Sequence, residues 1–419
     1  MTKQITEKQI EQIIEKLIDR IELANAYFLR SIGSSIAKIR ELTPTQAQKL
    51  VQILKYGGRY EDIIEEIARY TNLNIKDIDK IFEQYAKQDQ SFYKQFYEYR
   101  NKPFVPFEEN IALQTQKNAL AKIVKNRMYD FTRSNVLGYT IDGKFVGLRK
   151  TYNMMLDEAL LNVSQGKETF DSAMTRIMKQ VGESGLKTIE YQSGRSMRLD
   201  SAIRMDLKSD LRELHNENQM IIAEEIDADG VEISVHENPA PDHAPVQGHQ
   251  FSIVKPGEKE LSEWEKLQSG QDAKDYNGGT YNLDHDAKNG YRPISEMNCY
   301  HYIFSIVLGV SKPAYSNKEL QQIIDRNNKG FEYEGKHYTM YEGEQMQRNL
   351  ERKIREQKDI QIIAKASGET GKELLYKSQD NISVLTKRYK ELSNVSGLPT
   401  KMERAKASGY KRVAKNKLK

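Results

Sequence analysis

The chain has 419 residues, and its 64 Lys and Arg nearly balance its 60 Asp and Glu. This balance does not by itself indicate a nucleic-acid-binding protein, and 38% apolar residues exclude global disorder. The single cysteine, Cys299, excludes an intramolecular disulfide framework and a four-cysteine zinc site. No stretch resembles a secretory signal or approaches the ~20 apolar residues of a membrane span, so we expect no membrane association.

The first 230 residues contain only three prolines, and their apolar residues recur with helical spacing. A first helix is predicted along residues 10–28. A second follows the N-cap Thr43, where Gln46 completes a capping box, and ends at Gly57. The Asp142-Gly143 pair between apolar residues predicts a hairpin. Further helices are predicted as short elements at 63–67 and 75–85, and over 113–131, 150–164, 168–180 and 194–225.

The central part of the chain has a different character. Six of the ten prolines fall between residues 239 and 313, which excludes mainly helical structure there. Alternating apolar residues over 231–235 predict a half-buried strand, and the apolar run 300–308 predicts a buried one. A helix over 316–327, a hairpin turning at 334–336 and a charged helical stretch over 341–392 follow.

These patterns predict an α+β, predominantly α-helical protein. A long helical N-terminal half should precede a small α+β module and a helical, basic C-terminal tail. The expected regions are an N-terminal helical region (1–105), a long-helix region (106–228), the α+β module (229–340), a charged helical region (341–400) and the basic tail (401–419).

Basic residues form three groups whose role the sequence leaves open. Arg204, Lys208 and Arg212 recur every four residues, as on a solvated helix face or a surface that contacts DNA or an acidic partner. Arg195 and Arg198 could clamp an anion or form salt bridges, next to Ser193 as a helix N-cap. The tail is either a frayed, solubilising terminus or a nucleic-acid contact. Its basic residues are Lys401, Arg404, Lys406, Lys411, Arg412, Lys415, Lys417 and Lys419.

Five of the seven histidines and the only cysteine lie between residues 236 and 301. A metal site is conceivable from His243, His249, Cys299 and His301, because zinc accepts nitrogen and sulfur donors. The spacings are not those of standard zinc fingers, so polar residues that pin loops by hydrogen bonds are the alternative. A nuclease site of His243 with Asn298 and His301 is disfavoured by the long intervening segment, and a Cys299 nucleophile by the buried character of its strand.

Three stretches then resemble a known family. They are Tyr191-Gln192-Ser193-Gly194-Arg195-Ser196-Met197-Arg198 with the residues to Met205, the segment 229–248, and 298–311. Their order and spacing are similar to those of the phage minor capsid protein 2 family of Gram-positive tailed phages, which is related to Mu F-like head morphogenesis proteins. The resemblance covers about residues 5–345. The motif residues are Ser193, Gly194, Arg195, Arg198, Asp242, His243, Gln247, Gly248, Asn298, Cys299 and His301.

The resemblance implies a structural, non-enzymatic component of a tailed-phage or prophage head, with no catalytic residues and no cofactor. Its expected partners are the portal protein, other head proteins and, through the tail, packaged DNA, and it should be oligomeric in the particle. The expected location is the virion, and the host cytoplasm during assembly. Tyr300 stands where the family pattern suggests a basic residue. The rival hypothesis is a metal-dependent hydrolase or effector carried with the phage genome, which would use the His/Cys cluster of 243–301 and bind zinc.

Overall fold

The computed structural model describes residues 7–133, 135–165, 169–189, 194–281, 294, 299 and 301–413. Most of them are helical, and the strands form small antiparallel sheets, which confirms the predicted α+β, predominantly helical class. Within the described residues, no helix is long and apolar enough to cross a membrane. The helices are α1 (Glu7–Arg40), α2 (Pro44–Tyr56), α3 (Arg59–Tyr99), α4 (Ile111–Phe131), α5 (Leu148–Gln165), α6 (Phe170–Ser184), α7 (Leu199–Glu225), α8 (Glu263–Gln268), α9 (Asn317–Lys329), α10 (Met340–Ala366) and α11 (Lys372–Ser396).

Helix α3 corrects one prediction. The sequence suggested short separate helices, and the structure has one helix of 41 residues. No glycine or proline interrupts the chain from Arg59 to Tyr99. The weak helix formers in its middle are held by specific contacts: the Thr71 hydroxyl donates to the Ile67 carbonyl at 2.9 Å, and the Asn74 amide donates to the Leu17 carbonyl at 3.0 Å. The Asn74 bond is a tertiary contact that offsets the low local propensity, whereas the Thr71 bond lies within the helix.

The strands form two sheets and two isolated hairpins. The first sheet has the order β2-β1-β3-β4 and the second has the order β6-β5-β9. Asp142 and Gly143 both have positive φ, of 48° and 75°, so the predicted hairpin turn is confirmed. The strands are β1 (Leu137–Ile141), β2 (Lys144–Gly147), β3 (Lys187–Ile189), β4 (Ser196–Arg198), β5 (Gly230–Ile233), β6 (Gln250–Ser252), β7 (Ala273–Lys274), β8 (Thr280–Tyr281), β9 (Ile303–Ile306), β10 (Phe331–Tyr333) and β11 (Lys336–Tyr338).

The contacts divide the chain into two compact units, each built from three separate stretches. The first unit comprises Met1–Ile14, Asp77–Lys125 and Met205–Gly343, and the second comprises Glu15–Lys76, Asn126–Arg204 and Glu344–Lys419. The predicted α+β module 229–340 lies entirely within the first unit. The five consecutive regions stay a prediction, since this division does not measure which segments fold independently.

The first unit has a hydrophobic core around the second sheet. Val231 and Ile233 of β5 pack with Phe251 of β6, Trp264 of α8 and Ile303 of β9, and all five are buried. Cys299 belongs to the same cluster. The predicted strand is present as β5, but the prediction that it is half-buried is wrong, since all four of its residues are buried.

Polar side chains of α7 cover the free edge of β9. The Ile303 N–H donates to Asn216 Oδ1 at 3.2 Å, and the Ser305 N–H donates to Gln219 Oε1 at 3.1 Å. His215 Nε2 lies 2.7 Å from the Ile303 carbonyl oxygen. An uncovered strand edge leaves its backbone groups unpaired, so the helix serves here as a substitute strand.

In the second unit, small residues let helices approach closely. A Cβ on Gly33 of α1 would lie 2.8 Å from the Ile363 carbonyl oxygen of α10, and one on Gly182 of α6 would lie 2.4 Å from Ile360 Cγ1. The aromatic core includes Phe28, which stacks on the Tyr139 ring at a centroid distance of 5.1 Å. The polar end of that buried tyrosine is satisfied by Asn25 Oδ1 at 2.8 Å.

Candidate functional site

The second of the family-like stretches folds into a tight loop at the end of β5. The His236 N–H donates to Gln247 Oε1 at 2.9 Å, and Gln247 Nε2 donates back to the His236 carbonyl at 3.3 Å. The Gly248 N–H then donates to the Ile233 carbonyl at 2.9 Å. Buried Gln247 therefore acts as a clamp that closes the loop 237–246 onto the sheet. The same closure turns His243 inward, where it is 1% exposed.

Gly248 is required by both conformation and space. Its φ is +74°, a region that side-chain-bearing residues rarely adopt. A Cβ there would also lie 2.5 Å from Leu320 Cδ2 and 2.9 Å from Val235 Cγ2. The Gln-Gly pair of the motif thus has a structural explanation in the described residues.

The third family-like stretch enters the same region from β9. The Ser234 N–H donates to the Tyr302 carbonyl at 2.8 Å, and the Tyr302 N–H donates to Ser234 Oγ at 2.9 Å. A guanidinium N–H of Arg212, from α7, donates to the Cys299 carbonyl. These contacts fix the backbone on both sides of His301. Asn298 and Tyr300, which the sequence singled out, lie outside the described residues.

His243, Cys299 and His301 come together in the interior of the first unit. One donor atom of each lies within 4.8 Å of the others, and the three side chains belong to residues that are 1%, 1% and 3% exposed. Cys299 Sγ lies 3.6 Å from His301 Nδ1, and the His243 and His301 ring centroids are 5.2 Å apart. The Asp242 carboxylate adds negative charge 3.9 Å from His243 Nε2. Half-buried His236 stands edge-on to His301 at 4.4 Å.

The structure does not bring His249 into this cluster. Its Nδ1 lies 3.0 Å from Asp275 Oδ2, and its ring lies 5.3 Å from the Tyr281 ring. Burial lowers the pKa of His249, although Asp275 opposes that shift. The physical reason is the direction of the chain. His249 lies just beyond the Gly248 turn, which directs the chain into β6 and away from His243.

The two motif arginines have different environments. Arg198 is buried and forms ion pairs with Asp200 at 3.1 Å and Asp359 at 3.1 Å, so the salt-bridge hypothesis is confirmed for it. Arg195 and Gly194 are exposed. The Ser193 position lies outside the described residues, and α7 begins later, at Leu199, so the expected N-cap role is not supported.

Arg198 is the centre of a buried charge network, and sequence reasoning did not identify its other members. Arg355 Nη2 lies 3.3 Å from Asp200 Oδ2, which gives two arginines and two aspartates in one cluster. Burial opposes ionisation of Asp200, but Arg355 and Arg198 overcome it and hold the pKa of Asp200 well below its usual range. For Asp359, the effect of burial outweighs the attraction of Arg198 and raises the pKa of the carboxyl group. Gly185, with φ of +61°, leaves room for the Arg198 guanidinium, since a Cβ would lie 2.0 Å from Nη1.

The predicted solvated face of α7 is also wrong. Arg212 is only 4% exposed and holds the Cys299 carbonyl, and half-buried Arg204 forms an ion pair with Glu15. Lys208 is half-buried. Nearby, His215 Nδ1 lies 2.9 Å from Asp89 Oδ1, and both residues are buried. The Asn and Gln residues of α7 are the sequence feature that could have indicated this burial, because they suggest polar partners on several sides of the helix.

The C-terminal basic segment is folded against the second unit over its described part. The Ser408 N–H donates to Glu22 Oε2 at 2.8 Å, and Lys406 Nζ lies 2.6 Å from Asp19 Oδ2. Arg355 Nη1 donates to the Arg404 carbonyl at 2.9 Å. The hypothesis of a frayed terminus is therefore wrong for residues 401–413. The helical part of the C-terminus ends with α11 and a short 3₁₀ turn over Met402–Ala405.

The basic side chains of this segment differ in exposure. Lys401 and Arg404 are half-buried, whereas Lys406, Lys411 and Arg412 are exposed. Lys415, Lys417 and Lys419 lie outside the described residues. Of the three exposed basic residues, Lys406 is paired with Asp19. Lys411 and Arg412 are therefore the two whose charges are open to an external partner.

The geometry thus defines a helical α+β protein with two buried polar clusters and a folded C-terminal segment. The chain belongs to the phage minor capsid protein 2 family, whose model matches residues 5–392. This match confirms the resemblance seen in the sequence and extends it over nearly the whole chain. Membership indicates a structural component of the virion that associates with other head components. Comparison with curated proteins and with solved structures gave no match.

Proposed function

We propose that this minor capsid protein acts in head assembly at the portal, with the portal protein as its main partner. The observation that carries the proposal is the family match over residues 5–392. The structure supports a static, structural role, since the motif residues it describes serve mainly to hold loops and charges in place. Arg198 bridges two carboxylates, Gln247 clamps a loop and Gly248 permits a turn.

The experiment is co-expression of the full chain with the portal protein of the same phage, and separately with its major capsid protein. We expect a complex with the portal protein that persists through size-exclusion chromatography and has a defined mass by native mass spectrometry. Binding to the major capsid protein alone, with none to the portal protein, would contradict the portal assignment while leaving the capsid role intact.

The rival hydrolase hypothesis has less support. A hydrolytic metal needs an open coordination position that a substrate can reach. His243, Cys299 and His301 are each no more than 3% exposed. Family membership favours a structural role as well.

The second part of the proposal is that exposed basic residues of the C-terminal segment contact packaged DNA. Lys411 and Arg412 are exposed, and more basic residues follow them in the sequence. Phosphate contacts release counterions, so each one lost should lower both the affinity and its salt dependence. Lys401, Arg404 and Lys406 serve mainly to hold the segment on the second unit.

We predict that Lys411→Gln with Arg412→Gln weakens DNA binding by the full chain and reduces the slope of log affinity against log salt by about 1.8, or 0.9 per contact. The matched control is Lys406→Gln, which removes one charge from the same segment but breaks the pair with Asp19. It should leave the slope unchanged. Fluorescence anisotropy with duplex DNA over a salt series measures both. An unchanged slope in the double variant would exclude these two residues as DNA contacts.

A further inference from the structure

The motif residues Asp242 and His243 are far in the sequence from Cys299 and His301, and the four lie together in the fold. The carboxylate of Asp242 lies 3.9 Å from His243 Nε2. Two imidazoles and a thiol are gathered inside 4.8 Å, in a part of the first unit that consists largely of loops. We propose that His243, Cys299 and His301 bind one structural zinc ion.

The distances agree with this ligand set. Zinc lies about 2.3 Å from a thiolate sulfur and about 2.0–2.1 Å from an imidazole nitrogen, so a tetrahedral site separates sulfur from nitrogen by about 3.6 Å. Cys299 Sγ and His301 Nδ1 are 3.6 Å apart. The donor atom of His243 lies within 4.8 Å of both others, and donors of a tetrahedral zinc site are separated by about 3.3–3.6 Å.

Separate hydrogen bonds fix the backbone around each of the three ligands. The Gln247 clamp positions the His243 loop, and Arg212 holds the Cys299 carbonyl. The Ser234 and Tyr302 backbone bonds fix the residue that follows His301. Preorganised ligands of this kind lose little freedom on binding, and outer contacts of metal ligands typically affect affinity by about 10–100-fold.

The donor types select the metal. Two nitrogens and one sulfur suit zinc, whereas magnesium and calcium prefer oxygen ligands. On binding, the Cys299 thiol releases its proton to solvent and the thiolate bonds to the ion. The nearby Asp242 carboxylate and the thiolate together offset the charge of the ion. Burial of the ligands points to a structural role for the metal, in which it joins the loop after β5 to the segment before β9.

The test uses the full chain without a histidine tag, stripped of metal by a chelator and then titrated with Zn²⁺ or Co²⁺. We expect about one zinc per chain and a higher melting temperature in the loaded protein. Cobalt should give the near-ultraviolet sulfur-to-metal charge-transfer band of a bound thiolate. Cys299→Ser should abolish that band, and His243→Ala should weaken zinc binding by more than about tenfold.

The control variant is His249→Ala, which alters a half-buried histidine of the same module that contacts Asp275 instead of the cluster. It should retain the stoichiometry and the cobalt band. The absence of a charge-transfer band in the native-sequence chain would overturn the proposal without relying on any variant, and would leave a thiol–imidazole hydrogen bond as the explanation of the 3.6 Å distance. Equal loss of metal in His249→Ala would overturn it as well. Neither result bears on the capsid assignment.

Discussion

Replacing Arg198 by Ala should lower the free energy of unfolding by about 3–5 kcal/mol, because it leaves a buried carboxylate without its partner. Arg198 bridges Asp200 and Asp359, and all three residues are less than 10% exposed. Arg355 can still pair with Asp200, so Asp359 is the carboxylate that loses most of its stabilising interaction. Urea denaturation followed by circular dichroism measures the change. Arg198→Lys should recover only part of the loss, since an ammonium cannot bridge two carboxylates in the geometry of a guanidinium.

The matched control is Arg195→Ala, three residues away in the same motif. Arg195 is exposed, so its removal should change stability by less than about 0.5 kcal/mol. If both substitutions cost the same, the Arg198 network does not stabilise the fold in the way the geometry indicates.

Replacing Glu22 by Gln should remove a large pH dependence of stability. Burial is the main cause that raises the pKa of Glu22 to about 8, and the neighbouring Asp200 adds to it. The folded protein thus retains a proton that the unfolded chain releases above about pH 4.5. The free energy of unfolding therefore falls by about 1.4 kcal/mol per pH unit as the pH rises from 4.5 to 8, and this contribution changes no further above 8.

Glutamine is neutral at every pH and keeps an oxygen that can accept from the Ser408 N–H, as Glu22 does at 2.8 Å. The variant should match the parent near pH 4.5 and exceed it by about 4 kcal/mol near pH 8. Paired urea titrations at several pH values give the difference directly, and shared contributions from other groups cancel. A difference that stays constant with pH would show that Glu22 is already ionised in the folded protein.

Local chemistry in the sequence was sufficient to predict many element boundaries. Helix α2 begins where Thr43, Pro44 and Gln46 predicted, since all the interactions of a capping box lie within four residues. The Asp142-Gly143 turn is similar, because only a few residue types adopt positive φ readily. Helix α3 was divided wrongly because Asn74 is stabilised by Leu17, a partner distant in the chain.

The sequence predicted the candidate metal site only in part, because local patterns do not show which distant residues meet in the fold. Cys299 and His301 are two residues apart, and the structure places Cys299 Sγ 3.6 Å from His301 Nδ1. Their approach to His243 depends on the Gln247 clamp, and the exclusion of His249 depends on the Gly248 turn. Both are tertiary effects without a local pattern.

Charged residues were the hardest to interpret. A helical stripe of Arg204, Lys208 and Arg212 has the same appearance in the sequence whether it faces solvent or the protein interior. The structure buries Arg212 because its guanidinium satisfies a backbone carbonyl. In the same way, the C-terminal segment is held by Glu22 and Asp19, some 390 residues earlier in the chain. Composition alone gives no information on such pairings.

The most direct test of the central claim is quantitative mass spectrometry of gradient-purified particles from the phage or induced prophage that encodes this chain. A minor structural component of the head should be present at a reproducible number of copies, far below the major capsid protein and comparable to the portal protein. Its absence from particles, with abundant protein in the lysate, would contradict a structural place in the virion.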